Sequence, residues 1–351
     1  MDKPFLAKLR RIDPYVPGEQ PQSQNIIKLN ANENPYPPAP GVQAALRAFD
    51  ASSLALYPDA NGKALKTALA NRFSVKPTQV FLGNGSDDVL ALAFQSFFCS
   101  GEPILYPDIT YSFYPVWCDL FRIPYETVPL DENFCVRLRD YDKPNGGVVL
   151  PNPNAPTGRA LPLDAIEDLL QHNQDCVVII DEAYVDFGAA SAVPLLSKYE
   201  NLLVVQTMSK SRSLAGLRIG YALGSETLIA TLEAVKNSYN SYTMDAVALA
   251  AGEAAVKDET YFQQTCRKVA ATRDRAADAL RALGFSVSPS LANFLFVTHP
   301  QKKAADIFAY LREQGIFIRY FKLPRIDNHL RITVGTDEQM DKLIDALRAY
   351  L

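Results

Sequence analysis

LLVVQTMSKSRSLAGLR, residues 202–218, joins an apolar run directly to a cluster of hydroxyl and basic side chains. The apolar run at 202–205 predicts a buried strand, so Lys210 follows a strand end, where open α/β sheets bind ligands. Arginine grips phosphate through a planar fork, and a lysine amine can form a Schiff base. The segment therefore predicts a phosphate site at Ser209 and Arg218 beside a reactive amine at Lys210. The alternative is an ordinary solvated basic turn.

The composition favours a cytoplasmic globular protein. The 351 residues are 48% hydrophobic with a formal net charge of −4, which fits two soluble domains and gives no basic surface for nucleic acid. Five scattered cysteines without CxxC spacing indicate a reducing compartment. No segment resembles a signal peptide or a membrane span, so we expect no membrane partner. The three histidines lack ligand neighbours at metal-binding spacing, so no metal is expected.

A second strand end precedes a glycine loop. Residues 80–82 predict a strand, Gly85 belongs to the loop that follows, and Ser86 begins an amphipathic helix. Such a loop exposes backbone amides at a helix N-terminus, where the partial positive charge suits a phosphate. Asp87 lies in the first turn, and the alternative is that it only caps the helix.

Two further apolar runs also end in polar side chains. The run at 148–150 leads into a stiff proline-rich loop that holds Asn154, although asparagine in such turns usually bonds its own backbone. The run at 177–180 is followed at once by Asp181. A carboxylate there is costly to bury without a positive partner. That partner is a cationic ring nitrogen in one interpretation, and an arginine or a helix N-terminus in the other.

The alternation of strands and helices between residues 80 and 225 predicts an α/β fold with a doubly wound, mostly parallel sheet. The four strand ends would then lie together on its carboxyl edge. We predict an N-terminal arm at 1–40, a large domain at 41–250 and a small α+β domain at 251–351. In the small domain Arg319 and Arg331 lie among apolar residues. An inward-facing arginine needs an anion, whereas a solvated sheet face is the alternative.

Two tyrosines complete the set of candidate residues. Tyr57 lies in the turn-rich loop 57–62, and Tyr111 belongs to the aromatic segment TYSFY at 110–114. One ring of that segment could stack on a flat cofactor, or the rings could simply fill the core. A lysine amine, a strand-end aspartate, phosphate ligands and a stacking ring together describe a site for pyridoxal phosphate, which acts as an electron sink.

These residues carry a resemblance to a known family. Over nearly its full length the chain resembles the class I/II pyridoxal-phosphate aminotransferases of fold type I. DEAY (181–184) and the SK…LAGLR segment (209–218) are typical of the superfamily, whereas LNANENP (29–35) and LRITVGT (330–336) resemble its histidinol-phosphate group. The other matching segments are LYPDANGKALK (56–66), GNGSDD (83–88), TYSFY (110–114) and NPNAPTG (152–158).

The resemblance implies a role for each candidate residue. Lys210 would be the Schiff-base lysine, Asp181 the partner of the ring nitrogen, and Tyr184 a hydrogen-bond donor to the phenolic oxygen. Tyr111 would stack on the ring, and Asn154 would also belong to the cofactor site. The residues implied at the cofactor phosphate are Gly85, Ser86, Asp87, Ser209, Arg218 and, from the neighbouring subunit of a homodimer, Tyr57. The residues implied at the anionic group of the substrate are Tyr15, Arg319 and Arg331.

The implied reaction moves the amino group of L-histidinol phosphate to 2-oxoglutarate, giving glutamate, in histidine biosynthesis. The alternatives are an aromatic amino acid aminotransferase, a phosphothreonine-type decarboxylase and a non-enzymatic regulator of the same fold. One position departs from the family pattern, because Ala155 stands where an asparagine usually precedes Pro-Thr-Gly. Either Asn154 reaches the phenolic oxygen through a shifted loop, or that hydrogen bond is missing.

Overall fold

A computed structural model describes residues 4–16, 18–21 and 26–351. The strands in this part of the chain are β1 Ile27–Lys28, β2 Val80–Asn84, β3 Ile104–Pro107, β4 Tyr125–Val128, β5 Gly147–Pro151, β6 Val178–Asp181, β7 Leu202–Thr207, β8 Ile219–Gly224, β9 Ser286–Val287, β10 Phe294–Thr298, β11 Ile316–Phe317, β12 Arg319–Tyr320 and β13 Leu330–Thr333. The helices are α1 Pro40–Ala48, α2 Lys63–Phe73, α3 Ser86–Phe97, α4 Phe113–Phe121, α5 Leu163–His172, α6 Glu226–Tyr239, α7 Ala246–Lys257, α8 Glu259–Ala282, α9 Ala304–Glu313 and α10 Asp337–Tyr350.

The large sheet has seven strands in the order β2-β8-β7-β6-β5-β3-β4. Neighbours from β7 to β4 pair in parallel, whereas β8 is antiparallel to both β7 and β2. The predicted doubly wound, mostly parallel sheet is confirmed. The sequence did not predict β8, whose two glycines weaken the strand pattern. Because β8 runs backwards, it begins at the edge where β6 and β7 end, and this brings Arg218 to the other strand-end residues.

Alternate residues of the central strands pack into two separate cores. Val149, Ile179 and Leu203 face the core that also contains residues of α3, α4 and α6. Val178 and Leu202 face the opposite core, which is closed by α1, α2, α5 and α7. A parallel sheet covered on both faces needs apolar side chains at every position, which explains the continuous apolar runs of the sequence.

The C-terminal part forms an antiparallel sheet in the order β12-β13-β10-β9. Its core contains residues from this sheet and from α8, α9 and α10. The apolar segment around Arg319 forms two short strands, of which β11 pairs with β1 of the arm and β12 pairs with β13. The domain division near residue 250 remains a proposal, and α7, which spans it, packs on the core of the large sheet.

The N-terminal arm contains a short helical turn and a strand. Within its described residues, Pro4–Lys8 form a 3-10 turn and β1 pairs in parallel with β11. The arm then runs beside β13, where the Thr333 amide donates to the Leu29 carbonyl at 2.9 Å. Of the helices described, none is long and apolar enough to cross a membrane. The residues that the structure describes contain no group of three His, Cys, Asp or Glu side chains that could hold a metal ion.

Candidate active site

A pocket of about 240 Å³ opens where β5, β6 and β7 end. It lies at the carboxyl edge of the large sheet, as expected for ligand sites in open α/β folds. Eleven predicted site residues line it: Tyr15, Ser86, Asp87, Tyr111, Asp181, Tyr184, Ser209, Lys210, Arg218, Arg319 and Arg331. Residues separated by about 300 positions therefore share one cavity, because the arm and the small sheet close over the strand ends of the large sheet.

Lys210 presents an amine of lowered basicity to the pocket. Its Nζ donates to the carbonyl of Ala31 at 3.2 Å, and the side-chain amide of Asn34 fixes its backbone carbonyl at 2.9 Å. Burial, assisted by the positive charge of Arg331, lowers the pKa of Lys210 to about 8. A larger fraction of this amine is neutral at physiological pH than for an exposed lysine, and only the neutral amine is a nucleophile or a base.

Asp181 ends β6 and is only 5% exposed. It accepts hydrogen bonds from the Tyr114 hydroxyl at 2.9 Å and from the Ala183 amide at 3.2 Å. Burial raises its pKa to about 6, and both hydrogen bonds oppose that rise. A cationic group in the pocket would stabilise the carboxylate further, so the position suits a protonated ring nitrogen.

A first anion site lies at the N-terminus of α3. Ser86 and Asp87 line the pocket there, and Arg218 reaches them from the start of β8 to pair with Asp87 at 3.0 Å. Gly85 does not itself line the pocket, but a Cβ at this position would lie 2.4 Å from Nη2 of Arg218. The glycine thus leaves space for the guanidinium beside a helix N-terminus, a combination that suits phosphate.

A second anion site lies on the small sheet. Arg319 and Arg331 are directly opposite in the pairing of β12 with β13. Like charges directly opposite each other in a sheet repel, and an anion bound between the two guanidinium groups would relieve this repulsion. Nε of Arg331 is buried and has no hydrogen-bond partner among the described residues, whereas one Nη donates to the Asn30 carbonyl at 2.9 Å. The unpaired donor fits an anionic ligand.

Two tyrosine rings, those of Tyr111 and Tyr15, line the pocket. Tyr111 donates its hydroxyl proton to Asp87 at 2.7 Å, and burial raises the pKa of Tyr111 well above its usual value. The Tyr15 ring from the arm stacks on Phe113, with 4.2 Å between ring centroids. The Tyr111 ring is therefore held by its hydroxyl, as a platform for a flat ligand requires.

The structure does not bring Asn154 into the pocket. Its amide donates to the Ile109 carbonyl at 2.9 Å and to Thr157 at 3.1 Å, while its oxygen accepts from Thr110 at 3.0 Å. Ala155 and Pro156 line the cavity instead. The shifted-loop arrangement is not seen, because this side chain bonds Ile109 and Thr110 of the loop after β3 as well as Thr157 of its own loop.

Tyr57 also lies away from the pocket of its own chain. Its ring is 81% exposed and stacks on Tyr242, with 4.6 Å between ring centroids. Such a large exposed aromatic pair is more typical of a contact surface than of a cofactor site within one chain.

Two residues at the site, one in the pocket and one beneath it, have roles that the sequence did not predict. Asn32 donates its side-chain amide to the Tyr184 hydroxyl at 2.9 Å, and Tyr114 binds Asp181 from below. Asn32 belongs to the LNANENP segment, and its position in this motif was the available signal. Nothing in the sequence separates Tyr114 from the aromatic residues around it.

Similarity to known proteins supports the same view of the fold. The chain is 56% identical over 352 residues to histidinol-phosphate aminotransferase 2 of Dechloromonas aromatica, covering 99% of each protein. The structure resembles histidinol-phosphate aminotransferase from Sinorhizobium meliloti, solved in complex with pyridoxal-5'-phosphate, with a TM-score of 0.83, 27% identity and coverage of 93% and 92%. L-threonine-O-3-phosphate decarboxylase from Porphyromonas gingivalis shares the fold, with a TM-score of 0.80, 23% identity and coverage of 93% and 99%.

The predicted fold type I aminotransferase architecture is thus confirmed by these neighbours. The sequence model described as Aminotransferase class I and II matches residues 24–347, which is most of the chain. This match includes every predicted site residue except Tyr15. The chain belongs to the class I and II aminotransferase family.

Proposed function

We propose that this protein is a pyridoxal-phosphate-dependent aminotransferase that transfers the amino group of L-histidinol phosphate to 2-oxoglutarate in histidine biosynthesis. One observation carries the proposal. The amine of Lys210 and the carboxylate of Asp181 open into one pocket that also has two arginine-containing anion sites. One site suits the phosphate of the cofactor and the other suits the phosphate of the substrate. The identity of 56% to a full-length histidinol-phosphate aminotransferase supports the choice of substrate.

The residues present fit pyridoxal phosphate. The α3 N-terminus, Ser209 and Arg218 would hold its phosphate, and Tyr111 would stack on its ring. Asp181 would pair with the ring nitrogen, and Tyr184 would donate to the phenolic oxygen. When bound, pyridoxal phosphate supplies an electron sink for the electrons released at the substrate Cα.

Lys210 has two tasks in this proposal. Its neutral amine would bind the cofactor aldehyde in the resting enzyme, and the substrate amine would release it. The freed amine would then serve as the general base that moves a proton from the substrate Cα. The pKa of about 8 keeps part of the amine neutral at physiological pH, so that it can accept this proton.

Arg319 and Arg331 would bind the anionic group of each substrate in turn. The phosphate of histidinol phosphate and the distal carboxylate of glutamate or 2-oxoglutarate both accept the planar hydrogen bonds of guanidinium groups. Tyr15 lines the same pocket and would contact the bound substrate. A site that accepts both anions allows one pocket to serve both half-reactions.

A homodimer is part of the proposal. Tyr57 and Tyr242 form a stacked pair beside Leu56, and all three side chains are exposed. An exposed apolar group of this size suits a protein–protein contact, and a second copy of the chain would place Tyr57 at the neighbouring cofactor phosphate. Light scattering should give twice the mass of the chain. Tyr57→Phe should weaken cofactor binding and leave the dimer intact.

A cytoplasmic location, in keeping with five free thiols, also belongs to the proposal.

The deciding assay incubates the loaded enzyme with L-histidinol phosphate and 2-oxoglutarate and quantifies glutamate and carbon dioxide. We expect glutamate to form at a kcat/KM for histidinol phosphate well above that for phenylalanine. A preference for phenylalanine would favour the aromatic aminotransferase, because specificity is a ratio of these constants. Release of carbon dioxide from a phosphorylated amino acid without glutamate formation would favour the decarboxylase.

A further inference from the structure

Asn32 holds the hydroxyl of Tyr184 from the arm side of the pocket. Its side-chain amide donates to the Tyr184 oxygen at 2.9 Å, across 152 positions of sequence. Asn32 is only 1% exposed, so its side-chain amide is shielded from solvent. The Tyr184 ring packs against Ala155, Ala292 and Phe294, so apolar contacts fix the ring but leave the hydroxyl proton free to rotate.

Thr333 determines which way the Asn32 amide points. The Thr333 hydroxyl accepts a hydrogen bond from the Asn32 backbone amide at 2.9 Å and donates to the Asn32 side-chain oxygen at 3.0 Å. Because the hydroxyl proton of Thr333 is used in this way, the Asn32 oxygen faces Thr333 and its NH₂ faces Tyr184. Asn293 donates to the Asn32 carbonyl at 3.0 Å and anchors the backbone.

The direction of the hydrogen bond decides where the proton of Tyr184 can go. An oxygen that accepts from Asn32 on one side must direct its own proton elsewhere. Tyr184 lines the pocket, and no acceptor for this proton occurs among the hydrogen bonds of the described residues. The pocket is therefore the direction left for it, and a ligand oxygen there would be the acceptor.

We propose that Asn32 is a positioning residue, which commits the Tyr184 hydroxyl to donate its proton into the pocket, toward the phenolic oxygen of the cofactor. This inference rests on the proposed function. Ala155 has no polar side chain, and the Asn154 amide already donates to Ile109 and Thr157, so Tyr184 is left as the donor from this wall. Burial raises the pKa of Tyr184, and Arg331 and the Asn32 amide oppose that rise, so the hydroxyl keeps its proton as a hydrogen-bond donor.

The proposal has a spectroscopic test. A proton donated to the phenolic oxygen stabilises its deprotonated form, so a weaker donation raises the pH midpoint of the visible absorption band of the resting holoenzyme. Asn32 has φ = 55°, a conformation that glycine and aspartate tolerate. The test therefore uses Asn32→Gly, which removes the amide, and Asn32→Asp, which keeps its shape but replaces the donor with an acceptor.

Each substitution is measured in the wild-type and in the Tyr184→Phe background. We expect the midpoint to rise by about half a pH unit more in the wild-type background, because the loss of one hydrogen bond has about this effect. Asn173→Ala serves as the control, because Asn173 is a buried asparagine whose side chain bonds Leu169 and Asn145 outside the pocket. It should lower the melting temperature and leave the midpoint unchanged.

The outcomes separate the two proposals. Equal shifts in both backgrounds, or a shift in Asn173→Ala as large as in Asn32→Gly, would show that Asn32 acts only on the fold and would overturn its positioning role. Wild-type protein that acquires no visible band with pyridoxal phosphate would overturn the proposed function, and the role of Asn32 with it.

Discussion

Tyr114 donates its hydroxyl proton to Oδ2 of Asp181 at 2.9 Å, beneath the floor of the pocket. Both side chains are buried. Burial raises the pKa of Asp181 to about 6, and the hydrogen bond from Tyr114 is the largest influence that opposes the rise. In the cofactor-free protein the carboxylate is therefore charged above pH 6 and protonated below it. Only the charged form can pair with a cationic ring nitrogen.

The affinity for pyridoxal phosphate should fall on acidification, and we call this fall the acid limb. Tyr114→Phe should move the acid limb to higher pH. Removal of a hydrogen bond to a carboxylate should raise the pKa of Asp181 by about one unit, so the affinity for pyridoxal phosphate should begin to fall at a higher pH. Fluorescence titration of the cofactor-free protein across this range would measure the shift. A second change in affinity above pH 7, set by the protonation of Lys210 with its pKa of about 8, should stay at the same pH.

Tyr106→Phe is the matched control for that substitution. Tyr106 is a buried tyrosine whose ring lies 5.7 Å from that of Tyr114, and its hydroxyl makes no hydrogen bond to Asp181. The acid limb should be the same as in the wild type. If both variants shift the limb equally, a general loosening of the aromatic core would explain the result and the specific effect of Tyr114 would be rejected.

Arg331→Lys should raise the KM for histidinol phosphate by about tenfold, because lysine cannot form the planar paired hydrogen bonds of a guanidinium group. The KM for 2-oxoglutarate should rise as well, since one anion site serves both substrates, while kcat changes less. Arg275→Lys is the control, because Arg275 pairs with Asp337 and Asp341 on the exposed side of α8. An unchanged KM in the Arg331 variant would place the substrate anion elsewhere.

Gly220→Ala should destabilise the protein and weaken cofactor binding together. A Cβ at Gly220 would lie 2.3 Å from the carbonyl carbon of Gly85 and 2.4 Å from the amide nitrogen of Ser86. These are backbone atoms at the start of α3, so the helix N-terminus must shift, at a cost of about 1–3 kcal/mol. Gly216→Ala, where no atom lies within 4 Å of the added Cβ, should change neither the melting temperature nor the affinity.

The strand ends could be predicted because their signal is local. Continuous apolar runs at 177–180 and 202–205 indicate strands buried on both faces, and the parallel direction then brings Asp181 and Lys210 to one edge. The β8 strand escaped prediction because Gly220 and Gly224 interrupt its pattern. The structure shows that Gly220 is needed for the close approach of Gly85, a requirement that depends on a distant part of the chain.

The sequence could not show which of Asn32 and Asn154 reaches the pocket, because this also depends on distant parts of the chain. Both are asparagines in turn-rich segments, and the family pattern drew attention to Asn154. The side chain of Asn154 is held away from the pocket by Ile109 and Thr110 of the loop after β3, whereas that of Asn32 meets Tyr184 across 152 positions. Which asparagine reaches the pocket is decided by tertiary packing, and no local pattern records it.

Borohydride reduction of the loaded protein, followed by peptide mass spectrometry, shows which lysine binds the cofactor aldehyde. Reduction makes the bond between the cofactor and its lysine permanent, so the modified peptide identifies the residue. We expect one modified site, Lys210, and no modification in Lys210→Ala. Stoichiometric labelling of another lysine, or equal labelling of the Lys210→Ala variant, would contradict it.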